Sequence, residues 1–129
     1  MGKERQKVGR RGEDEACLYL IGEGHTIVER NWRKGHLETD IISLKGDELH
    51  FVEVKSRTEP TVADPEVNVN RAKVRHMVSC ALAFLNGKGR RSLPEDLEIC
   101  LDVLTVVFHA DGGLSEIEYY PKAFIPIYD

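Results

Sequence analysis

The chain has 129 residues, 41% of them hydrophobic and 31% charged, which supplies one compact domain with its own core and leaves little length for a second. A formal net charge of −4 excludes a uniformly basic coat, so any phosphate binding has to come from local groups of cations. Cys17, Cys80 and Cys100 form no CxxC pair and sit in apolar or helical patterns, which suits buried thiols in a reducing compartment. The opening stretch MGKERQKVGRRGEDE lacks the apolar core of a signal peptide, and no run approaches the roughly 20 apolar residues of a membrane span. The expectation is a cytoplasmic protein that stays off the membrane.

From about Lys3 to Gly22 the pattern is helical, with Val8, Gly12, Ala16, Tyr19 and Leu20 at helical spacing before the stop at Gly22-Glu23-Gly24. Glu13 lies beside that stripe, within the acidic trio Glu13-Asp14-Glu15, and reads equally well as a solvated charge or a functional acid. Strands are expected at 25–32, 37–44 and 49–57, the last two joined by a tight glycine turn. The segment 58–68, with Pro60 and Pro65, reads as a loop. Positions 71–86 carry an amphipathic helix ended by Asn86-Gly87, with Arg71, Lys73 and Arg75 in its first turns. Residues 97–108 are almost continuously apolar, the pattern of a strand covered on both faces, interrupted by Asp102. After the turn Asp111-Gly112-Gly113 a last strand follows at 114–120. The order αβββαββ predicts an α/β domain with a mixed sheet flanked by helices.

The stretch LETDIISLKGDELHFVEVKS poses a problem of charge. With the turn centred on Gly46-Asp47, antiparallel pairing sets Leu44 against Leu49 and Ile42 against Phe51, then Asp40 against Glu53 and Glu38 against Lys55 on one face. Opposed carboxylates destabilise a sheet unless a cation lies between them. A hard divalent ion such as Mg²⁺ takes oxygen ligands and is commonly held by one or two carboxylates, here Asp40 and Glu53, with the Val54 carbonyl as a further oxygen. Lys55 points to the face of Glu53 and could orient an attacking water or stabilise charge on a phosphate. A plain polar face with a Glu38–Lys55 ion pair is the other reading of these residues. Trp32 fits the core better than a base-stacking role. No C2H2, HExxH, P-loop or GxSxG motif is present, and the five histidines show no metal-ligand spacing.

An acid followed by Glu-x-Lys on a β-meander behind an N-terminal helix resembles the PD-(D/E)xK nuclease superfamily, which has a restriction-endonuclease-like fold. The segments GRRGEDEA (9–16), IVERNWR (27–33), LETDIIS (37–43), FVEVKSR (51–57), LDVLTV (101–106) and AF (123–124) resemble the UPF0102 (YraN-like) family over nearly the whole chain. That resemblance implies a nuclease-like domain over residues 1–129, similar also to Holliday-junction resolvases. It implies Asp40 and Glu53 as metal-binding acids, Lys55 as the catalytic lysine, Glu13 as the helix-borne acid of the resolvase-like branch, and Glu38 as a further acid. Two positions depart from the family pattern: Leu37 stands where glycine is usual, and Cys100-Leu101 replaces Arg-Phe before Asp102, which reads as a buried structural acid.

Cations gather at Lys3, Arg5, Lys7, Arg10 and Arg11, at Arg30 and Arg33, at Arg57, at Arg71, Lys73 and Arg75, and at Lys88, Arg90 and Arg91. The last group reads as ordinary solvated surface. The others would supply salt-sensitive contacts to nucleic-acid phosphates, with DNA as the expected partner. The leading expectation is a Mg²⁺- or Mn²⁺-dependent nuclease, as a homodimer if it cuts two strands. A binding module of the same fold without catalysis, and a scaffold that recognises only protein, are the alternatives.

Overall fold

The structure, a computed structural model, describes residues 2–59 and 70–123, with side chains from Lys7 onward. Helix α1 spans Gly2–Gly22, followed by strands β1 (Thr26–Lys34), β2 (Leu37–Lys45) and β3 (Glu48–Thr58). Helix α2 (Arg71–Leu85) leads through a short 3₁₀ turn (Lys88–Ser92) to β4 (Glu98–Phe108) and β5 (Leu114–Tyr120). The expected order holds, and most of the expected loop at 58–68 lies outside the described residues. The 3₁₀ turn was not expected from its basic sequence. It forms because Arg90 folds back on the chain, donating to the carbonyls of Leu93, Pro94 and Glu95.

The five strands lie in chain order in one sheet, antiparallel except between β3 and β4, which run parallel. The parallel step follows from the intervening helix, since a parallel partner needs a crossover. Alternation along β2 and β3 sorts side chains to two cores. Ile41 and Val52 face α1 and join Ala16, Cys17 and Leu20, whereas Ile42 and Phe51 face α2 and join Val74, Met77, Ala81 and Phe84. Strand β4 supplies both cores, Leu101 and Val103 to one and Leu104, Val106 and Phe108 to the other, which is why its sequence is almost continuously apolar. Trp32 packs edge-on against Phe84 with ring centres 5.9 Å apart, a core role as expected. All three cysteines are buried and free.

Two local features decide where the polar residues fall. Gly12 is buried against β3, where a Cβ would stand 1.7 Å from Ser56 Oγ; only glycine lets this turn of α1, with Glu13, come so close to the sheet. Asn70 caps α2, its side chain accepting from the Lys73 amide at 2.9 Å, and so fixes the first turn, which carries Lys73. Among the described residues no helix is long and apolar enough to cross a membrane.

Candidate functional site

Pairing between β2 and β3 has the expected register, from Lys45 with Glu48 to Ile41 with Val52. It stops one step short of Asp40 and Glu53. There the Asp40 carboxylate takes the place of a backbone partner, Oδ2 accepting from the Val54 amide at 2.8 Å. Asp40 and Glu53 still turn to the α2 side, where with Glu38, Lys73 and His76 they line a cavity of about 110 Å³. Burial raises the Asp40 pKa to about 6; the Val54 amide opposes this, and the negative fields of Glu13, Glu53 and Glu38 add to it. Glu53 Oε2 is buried with no hydrogen-bond partner among the described residues. The hairpin and α1 therefore set Asp40 in the fields of Glu13 and Glu53, an arrangement that disfavours its ionised carboxylate and favours a cation.

The lysines answer part of that demand. Lys73 reaches in from α2, its Nζ 2.9 Å from Glu53 Oε1, so this residue, expected on phosphate, lies beside an acid. Lys55 sits against Lys73; burial and the neighbouring ammonium both hold its pKa below the ordinary lysine value. Glu38 pairs with Arg33 at 3.4 Å, the side chains of both largely exposed. Glu13 is approached by Arg30 at 3.9 Å, and Arg30 bonds Asp14 at 2.7 Å. Of the other expected phosphate contacts, Arg11 lies over the Phe108 ring at 4.3 Å and donates to the Gly112 carbonyl. Lys7, Arg10 and Arg71 are exposed and Arg57 is half-buried.

A second polar assembly lies on the α1 side of the sheet, and sequence spacing does not disclose it. His50 on β3 is buried with Nδ1 2.6 Å from Asp102 Oδ2 and Nε2 3.1 Å from Glu48 Oε1. Tyr119 donates to the same Asp102 oxygen, and the Lys122 amide donates to Oδ1 at 2.9 Å. Asp102 is therefore the buried, hydrogen-bonded acid expected of it, and fully enclosed. Burial alone would lower the His50 pKa, but the bonds to Asp102 and Glu48 outweigh it and raise the value. Burial does lower His25, whose ring centre lies 4.7 Å from that of His50 and whose Nδ1 meets Ser43 Oγ at 2.9 Å. Glu48, His50 and Cys100 place one ligand atom each within 4.8 Å of one another, a set able to hold a metal ion. The only local signal was Glu48-x-His50, which alternation puts on one face; Cys100 joins them through the parallel register.

Fold and site together define an α/β protein whose central hairpin and second helix gather acids and a lysine around a cavity. Known sequences place it further. The model of the family described as "Uncharacterised protein family UPF0102" matches residues 12–106, and the chain belongs to that family. A UPF0102 protein of Bacteroides thetaiotaomicron is 36% identical over 95% of this chain and 96% of its own length. Relatives of the same name from Parabacteroides distasonis (38%, 91% of each chain) and Chlorobium chlorochromatii (39%, 92% of this chain and 91% of the relative) are similar over almost their full lengths. The matched region contains every acid and lysine of the cavity.

Proposed function

We propose that the chain is a metal-dependent nuclease, a single nuclease-like domain of the PD-(D/E)xK type that hydrolyses phosphodiester bonds in DNA in the cytoplasm, with Mg²⁺ or Mn²⁺ as cofactor. One observation carries this reading: burial, and then the fields of neighbouring acids, push the Asp40 pKa up to about 6, while Glu53 Oε2 has no hydrogen-bond partner among the described residues. Both defects are removed by a hard divalent cation, so the residues fit one. Asp40 and Glu53 would hold it, with Glu13 assisting. When bound, such an ion polarises a phosphate oxygen and lowers the pKa of its water.

The protein's own groups supply the rest. The Val54 amide fixes the Asp40 carboxylate. Lys55, with its lowered pKa, orients the attacking water and stabilises negative charge on the phosphate. Arg33 and Arg71, both exposed, with Lys7, Arg10 and Arg57, would hold the DNA backbone. A homodimer would present two such sites to two strands.

A second reading rests on Lys73. Its ammonium already neutralises Glu53, as in a protein that binds nucleic acid through this fold without cutting it. Labelled single-stranded, duplex, flapped and four-way-junction DNA, and RNA, incubated with Mg²⁺ or Mn²⁺ beside the Glu53→Gln variant, separate the two. Cleavage that disappears in the variant supports the nuclease. Salt-dependent binding without cleavage in either metal rejects it in favour of the binding module.

A further inference from the structure

We propose that Glu48, His50 and Cys100 form a zinc site on the opposite side of the sheet from the acid-lined cavity. Glu48 and His50 share a face of β3 by alternation, and Cys100 is the register partner of His50 on β4, so two adjacent strands present the set without any loop. Their ligand atoms lie within 4.8 Å of one another. A tetrahedral ion about 2.0–2.3 Å from each ligand sets neighbouring ligand atoms roughly 3.5 Å apart, a short closure.

The surroundings have the form that zinc ligands require. Asp102 takes the His50 Nδ1 side at 2.6 Å and leaves Nε2 facing Glu48, and Asp102 is itself held by Tyr119 and by the Lys122 amide. Buried carboxylates in that position fix the ring and tautomer of a metal-bound histidine. The other carboxylate oxygen of Glu48 lies 3.4 Å from Lys122 Nζ, so the ligand is steered at both ends. The remaining coordination position opens on a cavity bounded by His25, Lys45 and Tyr119.

One nitrogen, one sulfur and one carboxylate oxygen select a borderline-soft ion. Mg²⁺ and Ca²⁺ prefer oxygen alone, whereas Zn²⁺ takes this mixed set in four-coordinate geometry. On binding, Zn²⁺ replaces the thiol proton of Cys100 and any proton on His50 Nε2; both go to solvent and nothing is oxidised or reduced.

The test is a Co²⁺ titration of the full chain, reading the thiolate-to-cobalt charge-transfer band. The expected result is a band that saturates at one ion per chain, is bleached by Zn²⁺, is lost in Cys100→Ala and survives in Cys17→Ala and Cys80→Ala. Oxygen ligation at Asp40 and Glu53 gives no such band. Cys80 is the decisive control, because its Sγ lies 3.6 Å from His76 Nε2. Asp102→Asn should weaken Co²⁺ binding about 10–100-fold with the band retained. Absence of the band in the unaltered protein overturns the proposal whether or not the variants fold, and so does a band that persists in Cys100→Ala or vanishes in Cys80→Ala.

Discussion

Replacing Asp40 by asparagine should make the metal-free protein more stable at neutral pH. Asparagine is nearly isosteric, and its oxygen can keep the hydrogen bond from the Val54 amide. What it removes is a charge disfavoured first by burial and then by the fields of Glu13, Glu53 and Glu38. Raising the carboxyl from 3.8 to about 6 corresponds to about 3 kcal/mol, at about 1.4 kcal/mol per tenfold change in proton affinity. The sign follows from proton counts. Below pH 3.8 Asp40 is protonated in the folded and unfolded chains alike and carries no penalty. Between 3.8 and about 6 the unfolded chain loses its proton first, so stability falls as pH rises, and above 6 the full penalty is present. Urea unfolding in EDTA, run on parent and Asp40→Asn from pH 4 to pH 8, should show an advantage for the variant that grows across that window to a plateau of about 1–3 kcal/mol. Adding Mg²⁺ at ten times its dissociation constant should then raise the parent by about 1.4 kcal/mol and leave the variant unchanged. A pH-independent difference, or a variant less stable than its parent at pH 8, refutes the electrostatic account.

Lys73→Met removes the ammonium that competes for Glu53; Mg²⁺ affinity by calorimetry should rise several-fold, while an unchanged affinity would show that Lys73 and the ion do not share the carboxylate. Gly12→Ala should lower stability by about 1–3 kcal/mol through the clash with Ser56 Oγ, and Ser56→Gly in the same chain should restore much of it. Thermal unfolding of the two single variants and the double variant measures that coupling, and additive losses would count against a direct clash.

What was legible in the sequence was whatever depends on short spacing. The glycine at position 46 and the alternation on either side of it set the register from Leu44 with Leu49 to Ile41 with Val52. The almost continuous apolar run of β4, interrupted by Asp102, marked a strand covered on both faces, and β4 does lie between β3 and β5. Asp40 and Glu53 were legible as neighbours for the same reason, although the carboxylate bond to the Val54 amide ends the ladder before the pair forms. The position of Lys73 was not legible. It comes from the packing of α2 on the hairpin, which no spacing along the chain encodes. Nor was the His50 assembly, drawn from β3, β4 and β5 together with Lys122, since hydrogen bonds across a sheet leave no periodic trace. Glu38 also pairs with Arg33, its neighbour across β1 and β2, which the hairpin register alone does not show.

The single parallel step in the sheet gives the two polar assemblies different folding histories. Asp40 meets the Val54 amide across a hairpin, 14 residues apart in the chain, a contact closed by a turn that forms within microseconds. His50 and Asp102 lie 52 residues apart and come together only when β4 docks beside β3, after the larger loop-closure entropy has been overcome. The acid-lined cavity can thus take shape in a nascent chain that has emerged only as far as α2, while the His50 assembly reports completion of the sheet. Hydrogen exchange pulsed during refolding should protect the amides of β2 before those of β4, and during synthesis the order of assembly would follow the order of emergence.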